Sequence, residues 1–576
     1  MRLAATALRE FWDERDENLV LGPWGVPLAR KAEWQTYRLQ RAPDPWEDRE
    51  ALHRACRRAQ DIFEELIDPL GQRLDEIHAL RHSRRYWLIL AGPWLSRFVH
   101  LVYDRFERLR LAWERYPKLE AVLLDDADFQ TPEASLHFQN LGFTDAYNQQ
   151  VFSELIALER PDLPRRRLAC PPEPCPPPDP YSCAAFKALD RLIRLRSPRI
   201  LVSQLFHSRR DQYRLLAGLK TAAAPFYGSL PPPPPPDINL RERLKGLTAQ
   251  GPVASAIARL IPRHLPTLYL EGYRAAREAT LSGWRRAPKA LASSTGWLFN
   301  EALKFAGAEF SERGAVLAGW QHGGGYGLDA DTPSEHLERS LCDRFATWGW
   351  ASANGGAPAV PLPSPLTQRF QAAGLSAKAD SELLFVTNGF PLYPYLLYNW
   401  PMGWRIEENL EWQRRLLLAL KGPARESLRV RLYPLERGWR QRERLQEGLA
   451  PLRFDDGRGS FEKALSRARL VVFDHIGTSF LEAIAFGAPC LAFVNPGVNR
   501  FRQEASEAVA KLSRAAMLLE SPEAAAKACS HLFADPSRWW EHPATREARD
   551  FWSHRYAGLG EPWPGPWRKF LRELAQ

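Results

Sequence analysis

Cysteine is scarce in this sequence, with 7 residues among 576. Three of them, Cys170, Cys175 and Cys183, lie close together, but the Pro-rich segment around them has no Cys-x-x-Cys pair and no matching histidine. Zinc sites and disulfide frameworks both depend on regular spacing of their ligands or partners. The sequence therefore argues against a disulfide-stabilised or zinc-bound fold and favours a reducing compartment.

Long hydrophobic runs are also missing. No window offers about 18 apolar residues free of Gly, Pro and charge, which a membrane-spanning helix would need. The N-terminal stretch MRLAATALREFWDE has an apolar part too short for a secretory signal and soon becomes acidic. We therefore expect a cytoplasmic protein, with at most peripheral contact with the inner face of the cell membrane.

The charge balance is basic, because 78 Lys and Arg residues outnumber 68 Asp and Glu residues and give a net charge of +10. Such a surplus suits anionic partners such as sugar nucleotides or lipid head groups, although a solvated basic surface has the same composition. The cations are scattered, and even the densest runs, such as Arg165–Arg167, are short. Nucleic acid is therefore not an expected partner.

The length of 576 residues suggests three or four domains of ordinary size. Residues 168–180 and 230–237 are Pro-rich and predict surface insertions, because proline lacks an N–H and fixes φ. The Gly- and Pro-rich segment 351–367 predicts a linker between an N-terminal part, 1–350, and a C-terminal part, 368–576.

Short apolar runs recur at helix-length intervals on both sides of that linker. They include NLVLGPW, AVLLDD, RILVSQLF and AVLAGW before it, and ELLFVTN, SLRVRLYP, ARLVVFD and PCLAFVNP after it. This alternation predicts βαβ units and parallel sheets. The predicted fold class is therefore α/β, with two doubly wound Rossmann-like domains facing a cleft and with helical additions. Ligands in such folds lie outside the carboxyl ends of the strands.

The stretch VVFDHIGTSFLEAIAFGAPCLAF predicts a strand, a turn, a helix and a second strand. The turn contains Asp474, His475, Gly477, Thr478 and Ser479. Thr478 and Ser479 are natural N-cap residues, and Glu482 stands at capping-box distance from Ser479, so the pattern could merely start a helix. That interpretation leaves Asp474 and His475 unexplained at the end of an apolar strand. Because a helix N-terminus also binds anions, we favour a ligand site here.

A second pattern, WQHGGGYG, follows the predicted strand AVLAGW. The glycines Gly323, Gly324 and Gly325 leave backbone N–H groups bare, which suits close contact with a phosphate or a sugar. His322 precedes them and has the chemistry of an acid, a base or a phosphate partner.

A third pattern, RLYPLERGW, also follows a predicted strand, which the pair Tyr433-Pro434 would end. Arg431 and Arg437 would supply positive charge for an anion. A strand that proline terminates beside exposed arginines explains the pattern equally well.

Several blocks together resemble a transferase family that is encoded in bacterial surface-carbohydrate gene clusters. They are LAATALREFWD, LVLGPWGVPLARKAEW, YWLILAGPWLSRFVHLVYDRF, GWLFNEALKFAG, WQHGGGYG, DRFATWGW, RLYPLERGW and DHIGTSFLEAIAFGAPCLAF. The resemblance covers nearly the whole chain and implies a glycosyltransferase of the two-Rossmann-domain, or GT-B, type. It further implies a nucleotide-sugar donor and a glycan or lipid-linked glycan acceptor, such as O-antigen or capsule.

The donor nucleotide is less defined. Transferases that use CMP-activated 2-keto sugars have a His-Pro pair after one strand and a Ser/Thr-rich turn, which Tyr433-Pro434 and Thr478-Ser479 resemble except for Tyr at 433. UDP- and GDP-sugar enzymes of this architecture hold the ribose with a Glu, to which Glu482 is similar.

Glycosyl transfer needs a stabilised leaving phosphate and a base for the acceptor hydroxyl. The candidate bases are His322, Asp329 and Glu338. The DAD sequence at Asp329–Asp331 is a weak metal motif, so we expect no metal and no cofactor. A sugar-nucleotide epimerase, a phosphotransferase and a non-catalytic glycan-assembly protein remain as alternatives.

Overall fold

The structure of the protein is a computed structural model, which describes residues 1–170, 184–204, 208–219, 223–353, 355–374, 381–398 and 405–576. Within these ranges the apolar runs form three sheets, and every pairing between named strands is parallel. The predicted α/β class is confirmed. A third sheet is present in addition to the two that the sequence indicated.

The first sheet has five strands in the order β3-β2-β1-β4-β5. They are β1 (Arg2–Ala4), β2 (Glu17–Val20), β3 (Arg38–Arg41), β4 (Glu120–Leu124) and β5 (Arg165–Leu168). The central strands are buried, whereas β3 and β5 lie at the two edges and carry exposed arginines.

The second sheet has six strands in the order β11-β10-β9-β8-β6-β7. They are β6 (Ile200–Ser203), β7 (Ala223–Pro225), β8 (Ala290–Ser293), β9 (Val316–Trp320), β10 (Arg344–Thr347) and β11 (Ala359–Pro361). Residues 1–350 therefore contribute to two sheets instead of one, and the edge strand β11 of the second sheet lies inside the segment predicted as a linker.

The third sheet has six strands in the order β14-β13-β12-β15-β16-β17, the doubly wound arrangement of nucleotide-binding folds. They are β12 (Glu382–Val386), β13 (Leu428–Arg431), β14 (Arg453–Asp455), β15 (Ala468–Phe473), β16 (Cys490–Phe493) and β17 (Leu518–Leu519). The strand order reverses between β12 and β15. It also reverses in the second sheet, between β6 and β8. Ligands bind at such switch points, outside the strands' carboxyl ends.

Helices cover the sheets and join them. They are α1 (Lys31–Trp34), α2 (Arg49–His78), α3 (Arg84–Arg115), α4 (Ser135–Leu141), α5 (Asp145–Glu159), α6 (Ala184–Arg196), α7 (Arg209–Gly218), α8 (Ile238–Glu242), α9 (Pro252–His264), α10 (Tyr273–Leu281), α11 (Gly296–Phe299), α12 (Glu301–Ser311), α13 (Pro333–Leu341), α14 (Pro365–Gly374), α15 (Ile406–Ala419), α16 (Gly422–Glu426), α17 (Gln441–Gln446), α18 (Phe461–Leu465), α19 (Thr478–Phe486), α20 (Ser506–Arg514), α21 (Pro522–Leu532), α22 (Pro536–Trp540), α23 (Pro543–Arg555) and α24 (Pro564–Glu573). None of the helices in the described ranges is long and apolar enough to cross a membrane.

One apolar core connects the three sheets. It includes Leu3 of the first sheet, Leu291 of the second and Val471 of the third. The almost fully buried helix α3 packs at its centre against α2, α5, α9, α12 and α13. The Pro-rich residues 230–237 form neither helix nor strand, and residues 171–180 of the other predicted insertion lie outside the described ranges.

The chain crosses between the second and third sheets twice, at adjacent places. It leaves the second sheet near Ser364, whose N–H donates to the carbonyl of Gly558 at 2.9 Å. It returns after Gly558, and α24 then packs on the second sheet, where Trp567 and Leu571 share an apolar cluster with Val202. The last helix of the described chain therefore covers a sheet formed by residues far earlier in the sequence.

Candidate active site

The glycine loop after β9 and the N-terminus of α19 touch each other. The N–H of Gly324 donates to Thr478 Oγ1 at 3.0 Å. A Cβ placed on Gly324 would lie 2.6 Å from the carbonyl carbon of Gly477 and 2.6 Å from the nitrogen of Thr478. Only glycine fits at 324, because real Cβ contacts of that length do not occur. Two patterns more than 150 residues apart in sequence thus form one wall.

A cavity of about 460 Å³ opens beside this wall, at the switch point of the third sheet. Its lining includes His322, Gly323, Gly324, Gly325, Asp329, Thr387, Asn388, Arg431, Tyr433, His475, Gly477, Thr478, Ser479 and Glu482. Most of the predicted site residues are therefore brought together in one cavity. We call it the nucleotide-side cavity.

The helix α19 begins at Thr478, as predicted, but it has no capping box. Its N-cap is Gly477, and among the described residues no side chain caps its first N–H groups. Thr478 Oγ1 instead accepts from the glycine loop, and Ser479 Oγ lies 3.2 Å from His475 Nε2. The uncapped N–H groups remain available to an anion.

Asp474 and His475 orient Ser479. His475 Nδ1 lies 2.7 Å from Asp474 Oδ1. The other oxygen of Asp474 accepts from the Gln413 amide at 2.6 Å, and more distantly from the Asn388 N–H and the Asn409 amide. These N–H donors leave Asp474 as an acceptor, so His475 donates to it from Nδ1. The Ser479 hydroxyl and His475 Nε2 then form a second hydrogen-bonded pair.

His322 is held by Tyr326 and Glu338. Tyr326 Oη lies 2.7 Å from His322 Nε2 and donates its own proton to Glu338 Oε2. Burial and the Glu338 carboxylate raise the pKa of Tyr326 well above its usual value, so the phenol stays protonated. His322 must therefore donate from Nε2, which leaves Nδ1 as its basic nitrogen. Glu338 is buried behind His322 and does not line the cavity.

Asp329 lines the cavity, and burial raises its pKa well above the usual value. Its Oδ1 has no hydrogen-bond partner among the residues that the structure describes. Asp331, the second carboxylate of the DAD sequence, bonds His53 on α2. The two aspartates therefore do not present a pair of free carboxylates.

The arginines of the third pattern have different roles. Arg431 lines the cavity, but Asp455 and the carbonyls of Gly457 and Gly459 take up its guanidinium. Arg437 does not line the cavity and stacks on Phe143 at 5.5 Å. The charge of Arg431 is therefore already paired, whereas Arg437 stands beside the cavity, with its guanidinium also 5.8 Å from the ring of the lining residue Tyr433.

Glu482 also lines the cavity. Burial raises its pKa to about 8, and the opposing effect of Arg369 and Arg431 is smaller. The carboxyl group is therefore largely neutral near pH 7.

A second cavity of about 370 Å³ lies at the switch point of the second sheet. Its polar and aromatic lining includes Phe186, Gln204, Asp211, Tyr213, Tyr227, Ser294, Thr295, Trp320, Gln321, His322, Trp348 and Arg369. His322 belongs to both cavities. We call the second one the hydroxyl-side cavity, since amides, hydroxyls and rings dominate its lining.

Gln321 couples the two cavities mechanically. Its Oε1 accepts from the Trp348 N–H at 2.9 Å and from Trp350 Nε1 at 2.8 Å, and its Nε2 donates to the Gly323 carbonyl at 2.8 Å. The glycine loop is thus fixed to the second sheet on one side and to α19 on the other.

The sequence analysis did not identify Thr387 and Asn388, which follow β12, or Gln204, Ser294 and Thr295, which follow β6 and β8. All five stand directly after the observed strands. That position at a strand's carboxyl end was the signal by which they could have been found.

Several solved structures are remotely similar to this chain. The O-GlcNAc transferase of Thermobaculum terrenum is 14% identical, with 90% of this chain and 99% of that chain covered and a TM-score of 0.35. The α,α-trehalose 6-phosphate synthase of Burkholderia multivorans is 12% identical, with 66% and 99% covered and a TM-score of 0.33. A variant of the wall teichoic acid polymerase TagF is 9% identical, with 67% and 89% covered and a TM-score of 0.32. These scores are too low to support an argument about function.

No curated protein matches the sequence. A family model, in contrast, matches residues 1–571, and its description is LIC12162 family transferase. The match covers nearly the whole sequence, including all three sheets and both cavities. The chain therefore belongs to the LIC12162 family of transferases.

Proposed function

We propose that this transferase is a glycosyltransferase, with a nucleotide-activated sugar in the nucleotide-side cavity and a glycan acceptor in the hydroxyl-side cavity. The observation that carries the proposal is the position of His322, which lines both cavities and presents a basic nitrogen. A transferase needs two substrate sites that meet at one reacting centre.

The N-terminus of α19 would hold the leaving phosphate. Its uncapped N–H groups and the Thr478 hydroxyl, which already accepts from the Gly324 N–H, present donors to one cavity. Ser479 can also donate to a phosphate when its hydroxyl turns away from His475 Nε2, which lies 3.2 Å from it. Because these groups offset negative charge on the leaving group, we propose transfer that does not require a metal.

The chemical step then follows from general principles. The acceptor oxygen attacks the anomeric carbon, the bond from that carbon to the phosphate oxygen breaks, and the nucleotide leaves with the bonding electron pair. His322 Nδ1 takes the acceptor's proton. Asp329 is less suited to the base role, because burial raises the pKa of its carboxyl group and disfavours the ionised form.

The donor that we propose first is a CMP-activated 2-keto sugar, on the basis of Tyr433 and of the Thr478-Ser479 pair in the cavity lining. A surface glycan such as O-antigen or capsule, free or lipid-linked, is the proposed acceptor. The enzyme would then act in the cytoplasm, at the inner face of the membrane. Within this proposal, the third sheet forms the donor half, and the second sheet forms the acceptor half.

The test is thermal unfolding of the purified protein with CMP, CDP, UDP, GDP or TDP, with and without a metal chelator. A ligand at a hundred times its Kd adds about 2.7 kcal/mol to the free energy of unfolding. We expect CMP to stabilise the protein, Ser479→Ala to weaken the effect, and the exposed Ser513→Ala to leave it unchanged. If UDP or GDP stabilises the protein instead, the donor carries that nucleotide rather than CMP. If no nucleotide stabilises it, the proposal of glycosyl transfer loses its support.

A further inference from the structure

Helix α6 turns its leucines toward solvent and its charged residues toward the protein, the reverse of an ordinary surface helix. Leu189, Leu192 and Leu195 are 38%, 45% and 52% exposed, whereas the charged residues Asp190 and Arg194 are buried. The spacing of three places the leucines on one outward stripe. A soluble protein normally turns such a stripe toward its core, and an exposed apolar stripe marks a contact surface.

The inner face of α6 is firmly attached. Arg194 bonds Asp190 at 2.6 Å and donates to the carbonyls of Ala279 at 2.7 Å and of Ser282 at 2.9 Å, at the end of α10. Ile193 beside it is part of the main core. The helix therefore cannot roll its leucines inward without leaving Asp190 and Arg194 unpaired.

Cations surround the leucine stripe. Lys187, Arg191 and Arg196 on α6 are exposed, and the only acid of the helix is the buried, paired Asp190. Arg285 and Arg286 are exposed near the end of the helix, where their N–H groups donate to Ser197 Oγ. An apolar stripe with cations beside it complements a lipid surface that has anionic head groups.

The stripe adjoins the mouth of the hydroxyl-side cavity. Phe186 of α6 lines that cavity and contacts Tyr227 at 5.2 Å. Tyr227 also bonds the hydroxyl of Tyr213, another lining residue, which is 52% exposed. A molecule bound along α6 would therefore lie next to the cavity opening.

We propose that α6 docks the protein on an anionic phospholipid bilayer, with Leu189, Leu192 and Leu195 in the head-group boundary. Only the purpose of this docking rests on the proposed function: it would place the hydroxyl-side cavity next to a lipid-linked acceptor. Vesicle binding itself needs no donor, so it is measured separately from nucleotide binding.

The experiment is co-sedimentation of the full chain with vesicles of phosphatidylglycerol and phosphatidylcholine, and with pure phosphatidylcholine. The test variant combines Leu189→Ser, Leu192→Ser and Leu195→Ser. The matched control changes three other exposed leucines, Leu136, Leu418 and Leu435, which are 43%, 57% and 58% exposed, to Ser. Thermal unfolding of both variants verifies that they fold.

We expect wild type to bind the anionic vesicles. The partition coefficient of the α6 variant should be lower by about tenfold or more, because it lacks the three leucine side chains that the bilayer would bury. The control variant should bind like wild type, and high salt should weaken binding. The inference would be overturned if the α6 variant bound vesicles as well as wild type does, or if wild type did not bind them. So would a wild-type dimer that the α6 variant converts to monomer, since a second copy would then cover the stripe.

Discussion

His322 owes its basic nitrogen to the hydroxyl of Tyr326. Removing that hydroxyl with Tyr326→Phe leaves Nε2 only the longer contact with Glu338 Oε1 at 3.4 Å, which fixes its proton less firmly, so we expect transfer to slow by about tenfold. His322→Ala removes the base itself, and we expect a loss of about 10²–10⁴. Both variants should keep the thermal shift by nucleotide. Steady-state transfer assays measure the effect, with the distant Tyr103→Phe as control. An unchanged rate in His322→Ala would mean that another group is the base.

The raised pKa of Glu482 predicts a pH-dependent stability. Its carboxyl group holds a proton up to about pH 8 in the folded protein, but only to about pH 4.3 when unfolded. Unfolding between these values therefore releases a proton, so the free energy of unfolding should fall as pH rises from about 5 to 8. The contribution is on the order of a few kcal/mol.

Urea unfolding at pH 5.5 and pH 8.5 tests this, because Glu482→Gln should remove part of the pH dependence. Glu443→Gln is the control, since a hydrogen bond from Arg440 lowers the pKa of Glu443 despite its partial burial. A wild-type slope that survives Glu482→Gln unchanged would show that other groups cause it.

At the scale of elements, the contact between the glycine loop and α19 can be tested with neighbouring glycines. Gly324→Ala would bring a Cβ to 2.6 Å from the backbone of Gly477, so we expect a loss of about 1–3 kcal/mol in stability and weaker nucleotide binding. Gly323→Ala meets only Thr478 Oγ1 at 3.6 Å, an ordinary contact, and should be tolerated. Thermal unfolding with and without nucleotide distinguishes the two. Equal effects of both variants would mean that general loop flexibility matters rather than this contact.

The central strands could be predicted from the sequence, whereas several edge strands could not. β4, β9, β12 and β15 are buried between neighbours and therefore read as continuous apolar runs. β5 contains three consecutive arginines, because an edge strand has one neighbour and its side chains reach solvent. The sequence analysis took it for a basic run.

In the candidate site, too, the sequence predicted local patterns but not the contacts between distant parts of the chain. The turn at Asp474 and the glycine loop at Gly324 each stand out in the sequence, because strand, turn and glycine are local patterns. Their contact is not local, and neither is the pairing of His322 with Glu338. The orientation of α6 was equally hidden, since a leucine pattern at helical spacing normally predicts a buried face.

At the scale of the whole molecule, α24 ties the third sheet's part of the chain to the second sheet. Trp567 is almost fully buried there, and its Nε1 donates to the Pro363 carbonyl at 2.7 Å. Trp567→Ala should cost about 3–5 kcal/mol. We expect hydrogen exchange to accelerate in the strands β6, β8 and β9 more than in β12 and β15.

Trp412→Ala offers the comparison, because Trp412 packs against the apolar cluster of the third sheet. It should accelerate exchange in β12 and β15 instead. Uniform acceleration in either variant would mean that the molecule unfolds as one cooperative unit.

The return of α24 to the second sheet has a consequence for biosynthesis. Chains fold progressively as they leave the ribosome, with N-terminal parts first. The strands β6 to β11 emerge well before α24, so the face of this sheet that Trp567 and Leu571 later cover stays open to water while the whole third sheet is translated. A nascent chain stalled within that interval would expose an apolar surface, and chaperones that bind such surfaces should capture it there.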